Sequence, residues 1–399
     1  MKKKIFFYVV FTKYTKKKQS DLTRYLNYLK KITPEDSDLF LLDFSKYYFG
    51  ESFNKSNFSI KNIKYLKVEN LYNFKKFCYG KKIYCFGLIN QKIKQILILR
   101  IIKKLNFKVI EIMNLGYFPQ SYKEANLSLL YKIFVLLTYR TNYYFFRILS
   151  LLNLTPKIDY YFESSQNRIN KIKSRQEKKF LNIFSSKKIA FFKKIIRINS
   201  QLHEKLEKPV KISKKYIVYI DSGYDHPDIT TKELYMFSKK RRVFYDNLYK
   251  SLENIEKKFN KKLVFCKHPK SNYPAYFNKF DRRFIISTGK AEYYILNSFL
   301  SIVSATTLIN LVIYYKKDFI ISNSQFWGNL VKDKIVSIKK ELNLETFDIE
   351  SDKYANKLQL EKKILKNRKQ MNKFISNNLI ADKKTGHMNQ MKRFMGELS

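Results

Sequence analysis

Short apolar runs, rich in β-branched and aromatic residues, alternate along this chain with longer amphipathic stretches. That rhythm predicts βαβ units and largely parallel sheets. In the first half the predicted strands are Ile5–Phe11, Asp38–Phe44, Ile60–Lys67, Lys82–Phe86, Lys108–Met113 and Ile158–Glu163. Helical periodicity runs over Asp21–Lys31, Asn90–Leu105 and Lys123–Leu151. A basic polar region, Ser164–Lys188, and one more strand, Ile195–Ile198, lead into a charged segment carrying Pro209. The rhythm then restarts. Strands are predicted at Tyr216–Ile220, Lys262–Cys266, Phe284–Ser287, Phe299–Val303, Asp318–Ile321 and Ile335–Ile338. Helices are predicted at Thr231–Phe259, Lys290–Asn297 and Thr306–Tyr314.

The fold expected from this pattern is α/β, with two Rossmann-like domains, each built on a parallel sheet, facing one another across a cleft. The predicted boundaries are 1–200 for a first domain, 201–214 for a linker, 215–345 for a second domain and 346–399 for a helical basic tail. A length of 399 residues agrees with two cores rather than one.

Composition changes this picture only in part. Apolar residues make up 45% of the chain, with 34 Phe and 31 Tyr, so there is ample material for burial. Lys and Arg number 80 against 33 Asp and Glu, a net charge of +47. An excess of that size ordinarily points to nucleic acid or an anionic surface. Here it is spread over nearly every segment and accompanies heavy use of Ile, Asn, Phe and Tyr. All of these have AT-rich codons, so codon bias accounts for much of the charge. No nucleic-acid recognition module is found. Cys78, Cys85 and Cys266 form neither a disulfide framework nor a metal pattern, which fits a reducing, cytoplasmic setting. No uncharged run reaches the roughly 20 residues that span a bilayer. The aromatic, basic stretch from Leu127 to Leu154 and the lysine-rich tail would both allow peripheral contact with an anionic inner membrane face.

Candidate chemistry gathers where strands of the second half are expected to end, which is where ligands bind in open α/β sheets. Lys267-His268-Pro269-Lys270 follows the apolar run Leu263–Cys266, and Asp221-Ser222-Gly223-Tyr224-Asp225-His226-Pro227-Asp228 follows Tyr216–Ile220. Ser304-Ala305-Thr306-Thr307 stands between a predicted strand and a predicted helix, where hydroxyls and free N–H groups favour an anion. The same cluster would serve as an ordinary helix cap. Together, His268 and the Ser304–Thr307 helix start make a two-sided grip for a phosphate. The chain contains no P-loop, no GxGxxG, no GxSxG elbow and no HExxH.

The run KLVFCKHPKSNYPAYF, with the later TGKAEYYILNSFLSIVSATTLINLVIYYKKDFIISNS, resembles the donor-binding half of bacterial GT-B glycosyltransferases of surface polysaccharide assembly. The likeness is to CMP-sugar users of the sialyltransferase-like and Kdo-transferase-like kind, and YIVYIDSGYDHPD is similar to the opening of their C-terminal domain. It covers roughly Tyr216 to Ser324. The resemblance implies that His268 hydrogen-bonds the phosphate of a CMP-activated acidic sugar, with Ser304, Thr306 and Thr307 on the other side. Lys267, Pro269 and Lys270 complete the implied phosphate loop, and Gly223 and Glu292 are the implied nucleoside contacts. It implies no metal, since protein donors neutralise the leaving phosphate, and a glycan or lipid-linked glycan as acceptor.

The general base is left open among Asp43, Glu111, Asp221 and Asp225, and Asn114–Tyr117 is a candidate acceptor loop. Two other functions share these features. One is a CDP-polyol phosphotransferase of the teichoic-acid type, which would also need His226. The other is a basic nucleic-acid-binding protein, indifferent to His268.

Overall fold

A computed structural model describes residues 4–10, 16–45, 63–86, 93–113, 157–177, 192–206, 213–222, 231–268, 271, 273, 277–327 and 329–398. Several sequence candidates lie outside these: Gly223, Asp225, His226, Pro269, Lys270, the loop 114–117 and the stretch 127–154. The described residues form two α/β domains, each on its own all-parallel sheet. One contains the early strands to Glu204 together with Ile380–Ser399, and the other contains Lys205–Leu379.

The first sheet has seven strands, β1 (Lys4–Val10), β2 (Asp38–Asp43), β3 (Lys64–Lys67), β4 (Lys82–Phe86), β5 (Lys108–Ile112), β6 (Ile158–Glu163) and β7 (Phe192–Arg197). They lie in the order β3-β2-β1-β4-β5-β6-β7. Alternation along β1 explains its central place: Ile5, Phe7 and Val9 enter one core and Phe6 the other. Strands buried on both faces read as near-continuous apolar runs, as β1, β2 and β4 do. Helices Leu71–Cys78 and Ile93–Lys104 cover one face through Phe74, Cys78, Leu99 and Ile102. Helix Lys16–Ile32 covers the other through Leu29 and Ile32, beside Met391 and Met395 of the last helix, His387–Glu397, and Leu398 just after it.

The expected tail 346–399 is therefore divided. Thr346–Asp348 joins the second sheet as its last strand, and the final helix completes the core of the first domain. Asn199, fully buried, fixes that return. Its amide donates to the carbonyls of Asp382 (2.6 Å) and Thr385 (2.5 Å), and its side-chain oxygen accepts from the N–H groups of Ala381 and Asp382. His387 adds a second clasp, with Nδ1 2.6 Å from the Asn199 carbonyl and Nε2 2.7 Å from the Tyr28 hydroxyl. A carbonyl only accepts, so Nδ1 carries the proton and Nε2 receives the tyrosine hydrogen.

The second sheet has six strands, β8 (Tyr216–Ile220), β9 (Lys262–Lys267), β10 (Ile285–Thr288), β11 (Ser298–Val303), β12 (Phe319–Asn323) and β13 (Thr346–Asp348), in the order β10-β9-β8-β11-β12-β13. The chain builds outward from β8 to β10 on one side, then crosses to β11 and continues to β13. The strand order thus reverses at β8 and β11, which is where an open sheet leaves a crevice beyond its carboxyl ends.

Two expectations for this domain need correction. Ile335–Ile338 is not a strand but part of helix Asn329–Leu342; Ile335 and Ile338 are buried while Val336 is 60% exposed, the spacing of one helix face. The helix expected from Thr306 begins at Ile309, because Thr306–Leu308 form a turn in which the Ile309 N–H returns to the Thr306 carbonyl at 3.2 Å. The sequence reading also passes over helix Gln166–Glu177, in the basic polar region, and helix Leu71–Cys78.

Among the described residues, four connections end their helices alike. Asn106, Asn260, Lys316 and Asn343 take positive φ, and the residue after each donates back to the carbonyl five positions earlier. This is the left-handed helix stop that usually employs glycine.

Replacing Asn199 by Ala should destabilise the first domain by about 2 kcal/mol, since four part-buried backbone groups lose their partner. Urea denaturation and faster proteolytic loss of the last helix would report it. Burial holds His387 below its ordinary pKa, so its contribution is full above about pH 6.5 and is lost as pH falls below that value. The denaturation midpoint should fall between about pH 7 and about pH 5, and the slope should shrink in His387→Gln.

Candidate functional site

The parallel register of β9, β8 and β11 fixes what can meet at the carboxyl edge of the second sheet. Ile220 pairs with Cys266 on one side and Val303 on the other. The residues that follow, Asp221, Lys267-His268 and Ser304, therefore leave the same edge of three adjacent strands. By strand spacing, β9 and β11 lie about 10 Å apart, with β8 between them.

Asp221 is 3% exposed and accepts a hydrogen bond from the Tyr273 hydroxyl at 2.5 Å. The same hydroxyl accepts the backbone N–H of His268 at 2.8 Å. Tyr273 thus ties the end of β8 to the end of β9, and the Ser271 N–H returns to the His268 carbonyl at 3.1 Å. Burial first, and then the Asp221 carboxylate, push the Tyr273 hydroxyl far above its ordinary pKa, so it stays a donor. Tyr273 carries no signal in the sequence, being one of 31 tyrosines.

Lys267 differs from expectation. Its ammonium bonds Asp281 at 3.0 Å and lies over the rings of Tyr273 and Phe277, 5.2 and 4.6 Å from their centroids. It braces the loop through charge and cation–π contact rather than standing open at the edge. His268 is half-buried at the strand end.

On the other side of β8, Ser304 is wholly buried and its hydroxyl has no hydrogen-bond partner. The hydroxyls of Ser222 and Ser271 and the side-chain oxygen of Asn310 are likewise enclosed and unpartnered, although the Asn310 amide donates to the Thr307 carbonyl at 3.0 Å. Leaving a buried polar group without a partner costs about 1–3 kcal/mol, so each of these is an unmet cost at or near this edge. Thr306 accepts the Leu308 N–H at 3.3 Å and serves the turn, while Thr307 is exposed beside it.

Glu292 lies in the first turn of helix Ala291–Leu296 and accepts from the Tyr315 hydroxyl at 3.0 Å. Tyr315 follows helix Ile309–Tyr314, at the end leading into β12. The Glu292 carboxylate is thereby tied toward the amino end of the sheet.

In the first domain, Asp43 is fully buried at the end of β2 and is held by the Ser45 N–H (2.7 Å) and the Tyr65 hydroxyl (2.5 Å). Glu163, which the sequence reading does not single out, ends β6 but is saturated by the N–H groups of Ser164 and Ser165, the Tyr161 hydroxyl and Arg168. Glu111, one residue from the end of β5, is half-buried, and burial pushes its carboxyl up to about 8. Among the described residues no group of three or more His, Cys, Asp or Glu side chains is placed to hold a metal ion, and no helix is long and apolar enough to cross a membrane.

No protein-family profile matches this sequence, and neither does any curated protein. Solved structures are similar over nearly the whole chain at low identity. The UDP-GlcNAc 2-epimerase of Methanocaldococcus jannaschii is 13% identical, with 99% of each chain covered and a TM-score of 0.43. The wall teichoic acid polymerase TagF is 11% identical, with 99% of this chain and 88% of that chain covered and a TM-score of 0.47. UGT89C1 of Arabidopsis thaliana, complexed with UDP, is 10% identical, with 98% and 99% covered and a TM-score of 0.47. These likenesses assign no residue.

Tyr273→Phe should leave the domain folded but destabilise it by about 2 kcal/mol, because the Asp221 carboxylate loses its donor and the His268 N–H its acceptor. Chemical denaturation gives the loss, and faster hydrogen exchange at the His268 amide locates it.

Proposed function

We propose that this protein is a metal-independent, nucleotide-sugar-dependent glycosyltransferase. It transfers an acidic sugar from a CMP-activated donor to a bacterial surface glycan. The observation that carries the reading is that Asp221, His268 and Ser304 follow three adjacent parallel strands at the strand-order reversal, with the Ser222 and Ser304 hydroxyls enclosed and unpartnered. Hydroxyl donors at the ends of neighbouring strands suit a group with several acceptor oxygens, which a nucleotide phosphate supplies.

In this reading the acceptor hydroxyl oxygen bonds to the anomeric carbon. The bond from that carbon to the donor phosphate oxygen breaks, with its electron pair passing to the nucleotide. His268 and the Ser304 hydroxyl stabilise the charge that develops there, the electrostatic term that usually dominates. Ser304 is favoured over Thr306 and Thr307 because its hydroxyl is the enclosed, unpartnered one. A metal is unnecessary where protein donors neutralise the leaving phosphate.

The acceptor proton goes to a carboxylate. Asp43 and Asp221 each already accept a tyrosine hydrogen bond, which favours a structural role for both. Glu111, whose carboxyl burial pushes up to about 8, is the candidate that the pH dependence below tests. The acceptor would be a glycan or lipid-linked glycan, and its delivery would place the protein in the cytoplasm, against the inner membrane face.

Hydrolysis and transfer assays with CMP-sialic acid, CMP-Kdo, CDP-glycerol and UDP-GlcNAc test the reading. His268→Ala should lower transfer at least 100-fold with the fold intact, and Ser304→Ala should weaken nucleotide binding about tenfold. Chelation should leave the rate unchanged. A preference for CDP-glycerol, together with dependence on His226, would replace the sugar reading by polyol-phosphate transfer. Binding to DNA that falls steeply with salt and ignores His268 would replace both. Glu111 must lose its proton to act, so the turnover rate should rise with pH through about 8 and that limb should vanish in Glu111→Gln.

A further inference from the structure

The amino edge of the second sheet, a strand length of about 20 Å from Ser304, holds a feature the transfer reaction does not use. Lys214 leads into β8 and Lys316-Lys317-Asp318 lead into β12. β11 runs between these two strands, and the backbone links them: the Lys215 N–H bonds the Asn297 carbonyl before β11, and the Ser301 N–H bonds the Asp318 carbonyl. Arg368, opening helix Arg368–Asn378, donates to the Lys316 carbonyl and to the Asp318 carboxylate at 2.6 Å.

Lys317 is the one buried lysine among the described residues, 6% exposed, and no hydrogen bond or ion pair there engages its ammonium. Burial, and then the charges of Lys214 and Arg368, push that ammonium down to about 8. The carboxylate beside it, Asp318, is committed to Arg368. A buried lysine is costly, and the charges of Lys214 and Arg368 outweigh the opposing pull of Asp318 on its ammonium.

We propose that Lys214, Lys317 and Arg368 form an anion site for a phosphate-class group, separate from the nucleotide edge. An anion seated there would neutralise the ammonium, and the Arg368 guanidinium could share its planar donors with it. The chemistry is common to free pyrophosphate and to a phospholipid headgroup. The site does not rest on the glycosyltransferase reading and would stand if that reading failed.

The test is binding of the full chain to two probes: pyrophosphate, by calorimetry, and vesicles of phosphatidylglycerol with phosphatidylcholine, set against phosphatidylcholine alone. Lys317→Met keeps the packed stem and removes the charge; Lys214→Glu, at an exposed position, covers the case in which the first variant does not fold. Each should weaken binding of at least one probe about tenfold while CMP and UDP binding stay at wild-type strength. Loss confined to pyrophosphate identifies a free phosphate as the occupant, and loss confined to vesicles a lipid headgroup. Failure of the wild-type protein to bind either probe would overturn the proposal. So would wild-type affinity for both in a folded variant.

Discussion

β8 is bonded on both edges by parallel strands that the chain reaches in opposite directions, and the second domain depends on that arrangement. Parallel pairing sends every carboxyl end to the same side, so residues 221, 268 and 304, distant in sequence, emerge from three neighbouring strands. An antiparallel β9 or β11 would have carried its loop to the far end of the sheet. The apolar runs YIVYI, KLVFCK and SFLSIV make this pairing possible, because strands covered on both faces can afford almost no polar residue until they end.

Polar groups at these strand ends fall into two sorts. One sort is internally satisfied: Asp221 with Tyr273, Asp43 with Tyr65, and Glu163 with Arg168 and two backbone N–H groups. These buried carboxylates give up solvent for fixed donors, and each stiffens the loop it begins. The other sort, Ser45 in the first domain and Ser222, Ser271 and Ser304 in the second, has enclosed hydroxyls without a partner.

Much of the fold was legible because period-two and near-continuous apolar runs are strong signals, and the Asp38, Lys82, Lys108, Ile158, Tyr216 and Lys262 strands begin where those runs do. The signal failed where an apolar cluster was short. KIVSI has the composition of a strand, yet only its first and last isoleucines are buried. Helix Gln166–Glu177 escaped notice because Ile169 is its only fully buried apolar residue. His268 and Ser304 were legible as strand-end residues. Tyr273 was not, since nothing local distinguishes it, and the engagement of Lys267 with Asp281 depends on a helix that pattern alone does not orient. The Asn after each of three helices was a readable stop that the glycine rule conceals. In a chain with only nine glycines, asparagine takes the left-handed position.

The return of the last helix to the first domain also sets an order in time. Met391, Met395 and Leu398 close a core whose strands are complete by Arg197, and the clasp between Asn199 and His387 joins residues 188 positions apart. On the ribosome, the first domain must therefore wait, one hydrophobic face covered only in part by helix Lys16–Ile32, while the entire second domain is synthesised. A sheet exposed for that long is open to chaperone capture, and the two domains would become native in the reverse of the order in which they are made.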